Sequence, residues 1–415
     1  MVDNLGVKKE SLKLGASVSA TLAARIGQQI MVAGGWLPFD DYMHAALYTP
    51  GLGYYAHASQ KFGMLPFYAD GAHGAGSDFV TAPELSPLFG ACVGEQVAQA
   101  LQATGTHCVY EFGAGSGALA LQIYELLAQR SYALEHYFII EVSASLRARQ
   151  QEKLAAFAGK VTWLDQLPTQ MRGVVLGNEV LDAMPVKLLQ RTAGVWHERG
   201  VSLRPAHTLG GTDPLQTKAR TQNPVDTPAL PSAVVFSWQD RPTGLRPLVE
   251  IAGNHDYLTE IHPQAEAFVR TLAEHLQCGA IFLIDYGFPE SEYYHPQRHM
   301  GTLMCHYQHM ADPDPLDLVG LKDITAHVNF SAIALAGQDA GLDVLGYCNQ
   351  ARFLLNCGLL SKMELLAQIP RGLAAKLATE HEMGELFKVI GFSKGVDLGN
   401  FDPLGFTQGD RTHTL

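Results

Sequence analysis

The chain has 415 residues, 47% of them hydrophobic, with 41 acidic against 29 basic side chains and a formal net charge of −12. Such a length exceeds one ordinary core and implies a large insertion or a second domain, while the acidic balance excludes a nonspecific grip on nucleic acid or an anionic membrane surface. No apolar run reaches the ~18 residues of a membrane span, the first forty residues lack the layout of a secretory signal, and cysteines at 92, 108, 278, 305, 348 and 357 form no C-x-x-C pair, so the expectation is a soluble, cytoplasmic protein with buried thiols and no membrane insertion.

Helical spacing covers 17–32 and 38–48, with Leu22, Ile26, Ile30 and Met31 on one side of the first. Pro50-Gly51-Leu52-Gly53-Tyr54-Tyr55 and Ser77-Asp78-Phe79-Val80-Thr81-Ala82-Pro83-Glu84 cannot be regular helix. They read either as a lid over a site or as an extension packed on a sheet edge, since loop aromatics commonly cover apolar surface. A helix over 85–103 closes this N-terminal helical and lid segment, residues 1–104.

Val109-Tyr110-Glu111-Phe112 then meets Gly113-Ala114-Gly115-Ser116-Gly117, which opens a helix over 117–129. Alternating glycines allow a tight turn and close approach of a ligand to the unpaired N–H groups of the helix start. The same residues fit the dinucleotide pattern G-x-G-x-x-A if Ala118 takes the last place. Glu111 separates the two: a carboxylate there repels a diphosphate and attracts the ammonium and sulfonium of S-adenosyl-L-methionine. Tyr137-Phe-Ile-Ile-Glu141 is the next strand, its terminal acid suited to two ribose hydroxyls in either cofactor class.

A helix over 143–157, a strand at Val161–Leu164 and the apolar strand Gly173–Gly177 continue the alternation, which means a parallel sheet with helices on both faces. Gly113, Glu141, Asp165 and Asn178 all fall at carboxyl ends of strands, where such sheets bind ligands. Asp165 could accept from an adenine amino group or serve as a turn acid. In Asn178-Glu179-Val180-Leu181-Asp182, the two acids lie three apart on an expected helical turn and can share a face. A pair of carboxylates there suits the planar donor fork of a guanidinium, or is a solvated helix start.

From 192 to 258 the periodicity gives way to strand islands at 194–203 and 233–239 around a Pro-, Gly- and Thr-rich tip at 206–231, read as an inserted β-rich arm. A helix over 259–277 and the buried strand Gly279–Asp285, ending in Asp285-Tyr286-Gly287, bring the chain back to a core formed by 105–191 and 259–415. His299, Cys305, His306 and His309 lack paired ligand spacing, so no metal site is assigned.

Taken together, these segments resemble the MidA-like family of class I S-adenosyl-L-methionine-dependent methyltransferases, whose mitochondrial members are complex I assembly factors and protein arginine methyltransferases. The resemblance rests on Leu47-Tyr-x-Pro-Gly-x-Gly-Tyr-Tyr55, Asp78-Phe-x-Thr-Ala-Pro-Glu84, Glu111-Phe-Gly-Ala-Gly-Ser-Gly117, Glu141-x-Ser143, Asn178-Glu-x-Leu-Asp182, Ile284-Asp-Tyr-Gly287, Asp323-Ile-Thr-Ala-His-Val328 and Met383-Gly-x-Leu-Phe-Lys388. It implies a Rossmann-like α/β core, cofactor contact by Gly53, Tyr54, Phe79, Thr81, Glu111, Gly113, Ala114, Gly115, Gly117, Glu141, Asp165 and Asn178, and an acceptor site at Asn178, Glu179 and Asp182. S-adenosyl-L-homocysteine is then the product, and the partner a protein substrate, with a respiratory complex I subunit as the candidate. Gln308-His309-Met310 departs from the family, where a basic residue is expected near the histidine. Two readings of other classes stand beside it: an assembly chaperone that binds the cofactor for stability, and a nicotinamide-dependent oxidoreductase.

Overall fold

The computed structural model describes residues 4–56, 81–204, 234–307, 310–365, 371–396 and 401–415. Phe79, the 206–231 tip and Gln308-His309 lie outside them. In chain order the N-terminal part comprises α1 (Asn4–Val32), β1 (Leu37–Pro38), α2 (Phe39–Tyr48), α3 (Ala82–Leu85) and α4 (Pro87–Thr104). There follow β2 (Cys108–Phe112), α5 (Ala118–Gln129), β3 (His136–Ile140), α6 (Ala144–Lys153), β4 (Val161–Leu164) and β5 (Met171–Asn178). Next come β6 (Lys187–Thr192), β7 (Val195–Leu203), β8 (Phe236–Pro242), β9 (Tyr257–Ile261), α7 (Pro263–His275) and β10 (Leu276–Phe288). Then α8 (Glu290–Tyr293), β11 (Met304–Tyr307), β12 (Met310–Asp312), β13 (Asp323–Thr325) and β14 (Val328–Asn329) precede α9 (Phe330–Asp339) and β15 (Asp343–Asn349). The chain closes with α10 (Gln350–Asn356), α11 (Leu359–Leu365), α12 (Arg371–Ala378), α13 (Met383–Leu386) and β16 (Phe387–Lys394).

Unbroken apolar runs place the central strands in a sheet covered on both sides. Its order is β15-β16-β10-β5-β2-β3-β4, with β14 beside the end of β10. The run from β10 to β4 is parallel, whereas β16 is antiparallel to both β10 and β15. Successive strand residues serve opposite faces: Val109, Val174 and Phe282 pack with Phe89 and Val97 of α4 and Ile123 of α5, while Tyr110, Val175 and Ile281 pack with Val269 and Leu272 of α7 and Ile333 of α9. The sequence of strands reverses its direction of travel between β2 and β5. A crevice opens at that switch point, outside the carboxyl ends.

Three boundaries differ from expectation. The second sheet joins β7 to β6, β8 and β1, with β9 beyond β6, so it runs from Lys187 to Ile261 rather than 192–258. A two-residue hairpin loop explains the early start: Ala193 and Gly194 both adopt positive φ, +49° and +80°, which matches the twist of β6 and β7. The helix expected over 259–277 begins only at Pro263, whose missing N–H is harmless in a first turn, and Tyr257–Ile261 is strand. The described helices of residues 1–104 pack in two separate places. Leu22, Ile26 and Ile30 of α1 and Phe39, Tyr42 and Met43 of α2 pack on Leu188, Val201 and Phe236 of the second sheet, while α4 belongs to the central layer. Met31 stands 68% exposed, off the buried side assigned to it.

Candidate active site

The end of β2 and the start of α5 are shaped by backbone chemistry. Gly113, Gly115 and Gly117 sit at φ +61°, +55° and +83°, a left-handed region where a side chain would be strained. The turn is held by Gly113 N–H donating to the Ile140 carbonyl at 3.1 Å and Gly117 N–H to that of Ala114 at 2.7 Å. Gly113, Ala114, Gly115 and Ser116 line a cavity of about 730 Å³, a size suited to a nucleoside cofactor with room for an acceptor. Gly117 caps the helix behind the turn, outside the lining.

Two carboxylates flank this cradle. Glu111 is buried and accepts from the Tyr137 hydroxyl at 2.6 Å. Burial pushes its pKa up to about 7 against that hydrogen bond, with the Glu141 charge adding to the rise. Glu141 accepts from Ser143 N–H at 2.8 Å and from the Gln150 amide at 3.0 Å, and burial raises its pKa too. Gln150 also donates to the Gly115 carbonyl at 2.9 Å, tying the glycine turn to the second strand's acid. Sequence reasoning missed Gln150, because its only local signal was a polar residue in a polar helix.

Across the crevice, Asn178, Glu179 and Asp182 line the same cavity. The expected helical turn is absent. Glu179 instead adopts φ +54°, its N–H donates to the Ile284 carbonyl at 2.9 Å, and the next three N–H groups all converge on one carboxylate. Asp285 Oδ2 accepts from Val180 at 3.1 Å, Leu181 at 2.9 Å and Asp182 at 3.2 Å, and Oδ1 accepts from Tyr286 N–H at 2.9 Å. The Tyr286 hydroxyl donates to Asp182 Oδ2.

Burial pushes Glu179 up to about 8, followed by the charge of Asp182 and opposed by the Asn178 hydrogen bond. Burial likewise lifts Asp182 to about 6 against the Tyr286 hydrogen bond. Burial, then Asp182 and Glu179, raise Asp285 as well. The buried Oδ1 atoms of Asn178 and Asp182 have no partner among the described residues. One oxygen of Asp182 thus lacks a donor, and no basic side chain among the described residues pairs with Glu179, Asp182 or Asp285, a need that a cationic ligand would meet.

The remaining assignments divide. Thr81 lines the cavity at the start of α3, and Tyr48, Tyr55, Asp323, Tyr286 and His327 join it, none of which the motif reading singled out as a contact. Tyr48 Oη donates to the Ala183 carbonyl at 2.9 Å, and Tyr55 Oη to Asp323 at 2.8 Å. Gly53 and Tyr54 are not brought to the cavity: the turn after α2 drives Tyr54 into the second-sheet core and turns Tyr55 inward instead. Asp165 also stays outside. Its side chain is 84% exposed and paired with Arg147 at 2.6 Å, which places it at the surface outside the cavity lining. No group of three or more metal-ligating side chains occurs among the described residues. Cys305 is buried in the second-sheet core.

A left-handed glycine cradle and an acid-walled cavity fit the shape and charge of S-adenosyl-L-methionine. Comparison with known proteins agrees. A family profile described as S-adenosyl-L-methionine-dependent methyltransferase matches residues 92–348. A crystal structure of a Burkholderia thailandensis protein bound to S-adenosyl-homocysteine is 47% identical over 97% of this chain and 98% of that one, with a TM-score of 0.83. The protein arginine methyltransferase NDUFAF7, mitochondrial, of Danio rerio is 26% identical over 89% of this chain and 84% of its own length. Its Caenorhabditis elegans homologue is 25% identical over 79% and 74%. These likenesses close the nicotinamide alternative, and no described helix is long and apolar enough to cross a membrane. The chain belongs to this family of class I S-adenosyl-L-methionine-dependent methyltransferases, with S-adenosyl-L-methionine as cofactor and S-adenosyl-L-homocysteine as product.

Proposed function

We propose that this methyltransferase modifies a guanidinium nitrogen of a protein arginine. The observation that carries the reading is the pair Glu179 and Asp182, two carboxylates that line one cavity with no cation paired to either among the described residues, and whose pKa values burial lifts to about 8 and about 6. Relatives named protein arginine methyltransferases support it. When bound, S-adenosyl-L-methionine supplies an electrophilic methyl group on a positively charged sulfur. Gly113–Ser116, Glu111 and Glu141 hold that cofactor by backbone approach and charge. Glu179 and Asp182 receive the acceptor fork as carboxylates, fixing its plane and leaving one nitrogen free to face the methyl group. Forming the new N–C bond leaves one surplus proton on the guanidinium, which passes to one of the two carboxylates or to water. Tyr286 and Asp285 keep Asp182 and the 180–182 backbone in register, while Tyr48 and Tyr55 narrow the cavity against water.

The test is to incubate the protein with methyl-labelled cofactor and cell extract, hydrolyse the labelled polypeptide and identify the amino acid. Labelled methylarginine is expected; label confined to another residue would overturn the reading. A subunit of respiratory complex I is the first acceptor to try. We place the protein in a reducing compartment, consistent with six free thiols: the cytoplasm on its own sequence, the mitochondrion by its relatives' names. Cell fractionation decides between them.

A further inference from the structure

One cation stands out in this acid-walled cavity. Arg298 lines it where it meets a neighbouring groove of about 490 Å³, which shares Arg298 and Gly301 with the cavity and is walled further by Glu292, His295, Gln297 and Met300. The guanidinium carbon lies 3.9 Å from the centre of the Phe288 ring, and Nε donates to the Glu292 carbonyl at 3.2 Å. Among the described residues no carboxylate forms an ion pair with it. Its charge reaches inward. After burial, Arg298 is the next cause holding the His327 imidazole down at about 4, ahead of Lys388.

An arginine stacked on a ring, tied at Nε and with no partner on its outer nitrogens among the described residues, is preorganised to receive a carboxylate. The same charge repels a second guanidinium, so the acceptor arginine belongs with Glu179 and Asp182, and the groove carries the chain that flanks it. Exposed Met300 and half-exposed Met304 offer that chain adaptable apolar contact beside the charge.

We propose that Arg298 is a specificity residue that recognises an aspartate or glutamate on the acceptor, so that this enzyme selects arginines in an extended segment with an acidic side chain a few residues away. The inference rests on the arginine reading above.

Acetylated, amidated nonapeptides with one central arginine test it, with Asp, Asn or Lys placed singly two to four residues to either side. Wild-type protein should methylate the best Asp peptide over its Lys counterpart by on the order of tenfold in kcat/KM, the scale of one charge pair at a rim. Arg298→Ala should abolish the preference and Arg298→Glu should invert it, while calorimetry shows S-adenosyl-L-homocysteine bound as in the wild type. In wild-type protein the preference should also shrink as ionic strength rises, a readout that needs no variant. Indifference to flanking charge in the wild type, or a preference unchanged in Arg298→Glu, would overturn the role of Arg298 and leave arginine methylation standing. Failure of the wild type to methylate any peptide, and to bind any in the presence of S-adenosyl-L-homocysteine, would remove both.

Discussion

Glu179 is a non-glycine residue at φ +54°, a conformation that costs roughly 1–2 kcal/mol and persists because its own N–H and the three that follow are all taken up by Ile284 and Asp285. The strain aims a carboxylate into the cavity. Replacing it with an isosteric amide keeps the shape and removes the charge, so Glu179→Gln should lower kcat by on the order of 100-fold with S-adenosyl-L-homocysteine affinity unchanged; an unchanged kcat would take Glu179 out of the chemistry. Acceptor binding needs ionised acids, hence kcat/KM should rise with pH as Asp182 ionises near 6 and Glu179 near 8, and Glu179→Gln should flatten the upper limb. Stability moves the other way. A carboxyl whose folded pKa is raised above the usual 4.5 to about 8 holds its proton more tightly when folded. That contribution is complete below the unfolded value and is lost as pH climbs through the folded one. Melting of the ligand-free protein should therefore fall between those two pH values, and fall less in Glu179→Gln.

Among the elements, two connections carry the site. The β2–α5 turn depends on left-handed glycines, and a β-branched side chain at Gly115, φ +55°, is strained in a turn that lines the cavity. Gly115→Val should weaken S-adenosyl-L-homocysteine binding at least tenfold by calorimetry, roughly 1.4 kcal/mol or more, with the circular dichroism of the sheet retained. The turn after β5 depends on Asp285 from β10. Asp285→Ala would leave four N–H groups without their acceptor, those of Val180, Leu181, Asp182 and Tyr286, which should cost about 3 kcal/mol in a urea titration and reduce acceptor methylation with it. Asp285→Asn, keeping one oxygen at the same place, should recover most of the stability.

Over the whole molecule, the glycine cradle and the pair Glu179 and Asp182 share one cavity between the central sheet, α3 and the strands β11 and β13. A ligand bound only by the folded state raises its stability by mass action, about 2.7 kcal/mol at a hundredfold excess over Kd. S-adenosyl-L-homocysteine should raise the melting temperature accordingly, and NAD at the same concentration should leave it in place. The net charge of −12 and the acid-walled cavity together draw in cationic segments. KM for a peptide acceptor should rise with salt, because screening shortens the reach of that field.

The sequence by itself determined the parts whose physics is local. The strand–glycine–helix transition at 109–129, the acid closing the next strand at Glu141 and the alternation that makes a parallel sheet each depend on spacing over a dozen or so neighbouring residues, as hydrogen bonding along the backbone requires. Tertiary structure decided which of the marked residues meet. Tyr54 and Asp165 belonged to plausible motifs, yet packing sent one into the core and an arginine took the other to the surface. Tyr55 reaches Asp323 across 268 positions and Val180 finds Asp285 across 105. Contacts of that kind leave no periodic trace in a single chain, because what selects them is the closing of the central sheet and the strands β11 and β13 around a cavity rather than the geometry of any one segment.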